Sequence, residues 1–262
     1  MSRKKIAIAF FGITRSLRHT MPSIARNIFE PARQLGDVTT YAHFFDVANV
    51  TNVRSGETSV ADPEEYKLLN ADWVQFSQPN SILNDTDFDA IKQFGDHWGD
   101  DFASASNLIH QLYSLKTVAT RALQDKPDIV IFCRPDLRYN DSFHAGLQTA
   151  ITTRDPALIL PYWQRHKGGL NDRFAICVGD KAVTAYGCRL DLALTFCQKM
   201  NVELHSERLV RYAIAKQGIP TRKLNVRANR VRADGRVVDE NFATQNWKML
   251  RNHIRFGRML TF

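Results

Sequence analysis

Four short stretches hold residue types whose spacing could do chemistry. Phe11-Gly12-Ile13-Thr14-Arg15-Ser16 sets a glycine, which lets backbone approach a ligand, just before an arginine whose planar fork suits phosphate oxygens. Arg134-Pro135-Asp136-Leu137-Arg138 puts a carboxylate between two guanidinium groups, a metal-type oxygen ligand beside phosphate clamps. Gly168-Gly169-Leu170-Asn171-Asp172-Arg173 is a glycine-rich loop that delivers polar groups to the segment after it. His205-Ser206-Glu207 opens a helical pattern with a carboxyl group in its first turn. Each stretch also has a purely structural reading. These are a tight turn with a solvated arginine, an Arg–Asp pair ending a strand, Asn and Asp bonding their own backbone, and a Glu favoured by the helix dipole. No GxGxxG, GxxxxGK, GxSxG, HExxH or EF-hand pattern is present to decide between them.

The elements that would position these groups are legible from periodicity. Residues 5–11 (KIAIAFF) form a continuous apolar run closed by Gly12, which suits a buried strand. Thr20 and Pro22 suggest a helix start, Pro31 a kink and Gly36 a stop. Residues 38–47 read as a second strand and 73–76 as a short one. Residues 48–70 form a long polar excursion, and such loops in compact domains are often functional. An amphipathic helix over 103–124 leads through Pro127 into 128–133 (DIVIFC), the clearest buried strand. Strands follow at 158–163 and 174–178. Helices are expected from Asp180 to Met200 and from Ser206 to near Gly218. Asp234-Gly235 reads as the turn of a hairpin between 223 and 239. Strands alternating with helices imply an α/β sheet covered on both faces, with ligands at the carboxyl ends of its strands.

At 262 residues the chain can build a full core without staples. Its 44% hydrophobic and 24% charged residues exclude disordered, collagen-like and coiled-coil classes. No apolar run is long enough to span a bilayer, and the basic N-terminus lacks the length and cleavage site of a signal peptide. Cys133, Cys177, Cys188 and Cys197 stand apart in apolar surroundings and read as reduced thiols of a cytoplasmic protein. Residues 1–215 hold 24 basic and 24 acidic side chains, so the whole net charge of +8 resides in 216–262. That asymmetry points to a local anionic contact.

The ordered set FGITRS, HQLYSLK (110–116), DIVIFC-RPDLRY, LILPYW, GLNDRFAICVG and LHSERLVRYAI resembles GT-A-type nucleotide-sugar glycosyltransferases over about residues 5–217. Among these it is most similar to small enzymes that build bacterial surface polysaccharide and lipopolysaccharide. The resemblance implies a Rossmann-like, mixed but mostly parallel sheet with helices on both faces, spanning 1–220. A small hairpin and basic helix over 221–262 would complete the chain. It implies donor contacts from Gly12, Thr14, Arg15, Lys116, Arg134, Asp136, Arg138 and Asn171. Asp136 would be the second acid of a metal-holding Asp-x-Asp motif. Arg134 stands at the first acid's position, which puts dependence on Mn or Mg in question. Glu207 would deprotonate the acceptor hydroxyl in an inverting transfer, with Asp172 as its rival.

The resemblance further implies a nucleotide-sugar donor, a saccharide or lipid-linked acceptor, and work in the cytoplasm at the inner face of the membrane. Residues 247–256 (WKMLRNHIRF) could lie on anionic lipid as a basic amphipathic helix, or pack on the domain. No nucleic-acid partner is implied. The alternative is a catalytically silent α/β protein that binds nucleic acid or anionic membrane through this basic C-terminus.

Overall fold

The apolar run at the N-terminus forms β1 (Lys4–Gly12), an inner strand of a seven-stranded sheet in a computed structural model that describes residues 3–52 and 56–243. The chain continues through α1 (Leu17–Ile24), a π-helical turn (Ala25–Phe29) and α2 (Glu30–Leu35) into β2 (Gly36–Phe45). A hairpin of β3 (Asn49–Asn52) and β4 (Glu57–Val60) occupies the polar excursion, followed by β5 (Trp73–Ser77), α3 (Pro79–Ile82) and α4 (Phe88–Lys92). Then come α5 (Ala103–Gln124), β6 (Ile129–Cys133), β7 (Leu137–Tyr139), α6 (His144–Thr152), β8 (Ala157–Pro161) and β9 (Ala175–Val178). The described chain closes with α7 (Gly179–Gly187), α8 (Ala193–Met200), α9 (Ser206–Gln217), β10 (Thr221–Leu224) and β11 (Ala228–Arg230).

The sheet order is β10-β8-β9-β6-β1-β2-β5, parallel except for β9, which runs against both its neighbours. Period-two alternation sends β1 side chains to both faces. Ile6, Ile8 and Phe10 pack with Leu17, Ile24, Ile28 and Leu147 of α1, the π turn and α6. Ala7, Ala9 and Phe11 pack with Leu115, Val118, Ala182 and Val210 of α5, α7 and α9. The α/β sheet covered on both faces is therefore present as the pattern implied.

Several local expectations shift, each for a physical reason. The first helix begins at Leu17 rather than Thr20, because the Ser16 carbonyl already accepts from the amides of His19 and Thr20. The π turn directly precedes Pro31, whose ring would crowd the carbonyl four residues back in an unbroken α-helix. The helix expected over 180–200 breaks after Gly187, where a Cβ would stand 2.4 Å from that of Ala119. The turn at Asp234-Gly235 forms, with Gly235 at φ +84°. Its arms pair close to the turn, with Val231 bridged antiparallel to Val237, but the pairing does not reach back to residue 223. Instead β10 joins the main sheet beside β8, and β11 pairs antiparallel with β7. The basic helix expected beyond 247 lies outside the described residues. No helix among the described residues is long and apolar enough to cross a membrane.

Candidate active site

The site is built at the carboxyl ends of the parallel strands. β1 ends at Gly12 and β6 at Cys133, which places FGITRS and RPDLR side by side. Because β9 runs the other way, its entry lies on this same edge, and so Asp172 and Arg173 arrive there. The start of α9 brings His205, Ser206 and Glu207. Gly12, Arg15, Arg134 and Asp136 line one cleft of about 1120 Å³ with Asp172, Arg173 and residues 205–207, together with His97, Trp98 and Gln111 and with Arg230, Arg232 and Glu240 of the C-terminal segment.

Asp136 sits at one wall with its side chain 4% exposed. Arg134 holds it bidentately, Nε to Oδ1 at 2.9 Å and Nη2 to Oδ2 at 2.8 Å. Arg15 Nη2 adds a third bond to Oδ2 at 2.6 Å. Burial alone would push the Asp136 carboxyl up, but the two guanidinium groups outweigh it and hold it well below the carboxylate range. Arg15 also donates to Glu57 at 3.2 Å, and Glu57 accepts from Arg232 and from the amide of Ala233. This one carboxylate ties the β3–β4 hairpin to the C-terminal turn. On the neighbouring side Glu240 accepts from Arg173, Arg230 and Gln164. Five guanidinium groups thus share three carboxylates along one wall.

The same cleft carries two further carboxyl groups in different states. Asp172 accepts a short hydrogen bond from the Ser206 hydroxyl. Against the cost of burial, that bond and the charges of Arg189 and Arg134 keep Asp172 below its ordinary value. Glu207 moves the other way, raised by burial and then by the neighbouring Asp172 charge. Its Oε2 lies 3.3 Å from Nδ1 of His205, an imidazole that burial and His97 pull down to about 3. The two carboxyl groups meet because Gly169 lets the loop touch α9: a Cβ there would stand 2.3 Å from the Glu207 carbonyl carbon, and Leu170 N donates to that carbonyl at 2.9 Å. Gly169→Ala should therefore lower stability by about 1–3 kcal/mol through overpacking. Denaturant titration checks this; an unchanged midpoint would mean the loop is not held by this contact.

No family model matches the sequence, and no curated protein matches it. Solved structures of similar shape include mouse xyloside xylosyltransferase 1, at 10% identity and TM-score 0.40, covering 86% of this chain and 85% of that one. The glycosyltransferase GlyE of Streptococcus pneumoniae aligns at 12% identity and TM-score 0.44, over 85% of this chain and 46% of its own. The galactosyltransferase LgtC, solved with donor and acceptor sugar analogues, aligns at 12% and TM-score 0.42, over 83% of this chain and 72% of its own. At such values the likeness assigns no residue.

The sequence-derived site set divides on this geometry. Gly12, Arg15, Arg134, Asp136, Asp172 and Glu207 line the cleft. Gly12, at φ +111°, donates its amide to Ser114 at 2.8 Å. Lys116 does not join them. It pairs with Asp191 at 2.5 Å in a separate cavity of about 560 Å³ bordered by Trp73, Tyr113 and Arg121. Its place on α5 points it away from the strand ends. Asn171 is buried with its amide committed, Nδ2 to the Trp163 carbonyl and Oδ1 from the Arg173 amide, so it closes the loop rather than facing a sugar. Arg138 is exposed on β7 outside the cleft lining, and Thr14 is also absent from it. Glu57, Arg230, Arg232 and Glu240 were not singled out from the sequence, because hairpin and turn residues far apart in the chain carry no local signature; Gln111 lay in the quoted 110–116 stretch but was given no role.

The residues present do not fit a divalent cation on Asp136. Both its oxygens already accept from guanidinium groups, and a dication there would face two positive charges. Nor does any cluster of three His, Cys, Asp or Glu among the described residues have the disposition to hold a metal. All four cysteines are free, and burial raises their thiols.

Proposed function

We propose that this chain transfers a sugar from a nucleoside-diphosphate donor to the hydroxyl of a saccharide or lipid-linked acceptor, with inversion. One observation carries the reading: a single cleft is lined by both Arg15 and Arg134 and the Asp172–Glu207 pair. In such a transfer the anomeric C–O bond breaks and its electron pair stays on the β-phosphate oxygen. The acceptor oxygen forms the new bond to that carbon, and its proton passes to a carboxylate. Arginines aimed at the departing phosphate stabilise the transition state more than the ground state.

Glu207 is our base. Its raised proton affinity makes it a stronger acceptor once ionised, which suits general base catalysis near neutral pH better than an ordinary carboxylate would. Asp172, held below its ordinary value by the Ser206 hydroxyl and nearby guanidinium groups, raises Glu207 with its charge and would favour positive charge developing on a sugar bound beside it. The surface-polysaccharide setting and work at the cytoplasmic membrane face rest on the family resemblance alone. Incubation with a panel of nucleotide sugars and release of nucleoside diphosphate tests the reading. Acceptor-dependent release from at least one donor is expected. A protein that neither consumes any donor nor is stabilised by any nucleotide would overturn it.

A further inference from the structure

We infer that the diphosphate of the ligand is held, and its growing charge met, by the guanidinium groups of Arg15, Arg134, Arg230 and Arg232 without a divalent cation. This rests on the glycosyl-transfer reading and specifies how its leaving group is handled. Three observations converge on it. First, the only carboxylate at the end of β6 is spent: Asp136 accepts from Arg134 and Arg15, and its function here is to hold those two guanidinium groups side by side. Second, the ion pairs of the cleft leave an excess of cations, since Arg15, Arg134, Arg173, Arg230 and Arg232 share three paired carboxylates, Asp136, Glu57 and Glu240.

Third, donors remain unused. A guanidinium group carries five N–H bonds. Arg15 spends two of them, on Glu57 and Asp136, and its buried Nε has no partner among the described residues. Arg232 spends one, on Glu57, and its Nε is likewise unpartnered. Arg230 spends one, on Glu240. Gln111, whose Oε1 accepts from Arg134 at 2.9 Å, has a buried Nε2 with no acceptor. Buried polar groups are rarely left unsatisfied, and a set of donors without acceptors on one wall calls for an anion rich in oxygens. A diphosphate is such an anion. Planar forks answer its oxygens bidentately, which a point charge cannot. The same forks stand ready for the electron pair left on the β-phosphate oxygen when the anomeric bond breaks.

Thermal denaturation of the full chain with UDP, GDP, dTDP, ADP and inorganic pyrophosphate, each in EDTA and in Mn²⁺, tests the inference. The expected result is a rise in melting temperature with pyrophosphate and at least one nucleoside diphosphate, of equal size in both media. Arg230→Gln and Arg232→Gln should each weaken the binding about tenfold to a hundredfold, the loss expected for one charged hydrogen-bonding group. Binding that appears only with Mn²⁺ overturns the inference and leaves the glycosyl-transfer reading in place. Pyrophosphate binding in EDTA with no nucleoside diphosphate bound keeps the arginine cradle and removes that reading. No binding in either medium removes both.

Discussion

Glu207→Gln is expected to lower sugar-transfer turnover by roughly 10²–10⁴-fold, the span that a positioned general base contributes. The amide keeps the size and the hydrogen-bonding outline of the carboxyl group but cannot accept the acceptor's proton. Glu207 pairs with His205 rather than with Arg15, Arg134, Arg230 or Arg232, so nucleotide affinity should change little. That split between turnover and binding distinguishes a base from a structural residue, and steady-state kinetics beside a nucleotide titration would measure it. The environment of Glu207 adds a pH signature. Burial and the Asp172 charge raise its proton affinity, so the wild-type rate should climb with pH through a value above the ordinary glutamate range. Asp172→Asn removes the second of those causes. The rising limb should then move to lower pH, toward the ordinary glutamate range. A limb that stays in place in Asp172→Asn would assign the limb to a group other than Glu207, and full turnover in Glu207→Gln would return the base assignment to Asp172 or to another group.

Why the base could be proposed from the sequence, and the cradle only in part, is a matter of how each is built. The strands β1 and β6 announce themselves as apolar runs, and a ligand site at their carboxyl ends follows from α/β topology. Arg15, Arg134 and Asp136 each lie within a few residues of such an end, so local pattern was enough to find them, whereas Glu207 opens a helix and was reached as a base only through the family resemblance. Asp172 was legible as a polar group at a strand entry. That it shares an edge with β6 depends on β9 running antiparallel, which no local pattern encodes. Glu57 stands in a polar excursion and Arg230, Arg232 and Glu240 in a C-terminal turn. Only long-range pairing brings them to Arg15 and Arg173.

The charge asymmetry was a real signal with a different meaning. Part of the basic excess after residue 216 turns inward, where Arg230 and Arg232 reach buried carboxylates of the cleft wall. Lys116 shows the opposite failure. Its place in the ordered motif set suggested phosphates, yet its position on α5 sends it to Asp191.

Asp136→Ala should cost about 3–5 kcal/mol of stability, because breaking a buried ion pair strands the remaining charge. Here two guanidinium groups lose their shared partner, in a position where the carboxylate is almost wholly enclosed. For a chain of this size the melting temperature should fall by roughly 10 °C. The pH dependence follows from the direction of the shift. Asp136 titrates well below the ordinary range in the folded state, so its stabilisation is fully present above the ordinary aspartate pKa of about 4 and is lost as pH falls toward the depressed folded value. The gap between wild type and Asp136→Ala should accordingly be constant from neutral pH down to that point and narrow below it. Combining Asp136→Leu with Arg134→Met should recover part of the loss, since apolar groups of similar volume leave no stranded charge at that pair while Arg15 keeps Glu57. Denaturant midpoints of wild type and the two variants across pH decide the matter. A single Asp136→Ala replacement as stable as wild type would show that the arginines are free in solution, and that the carboxylate is available to something other than them.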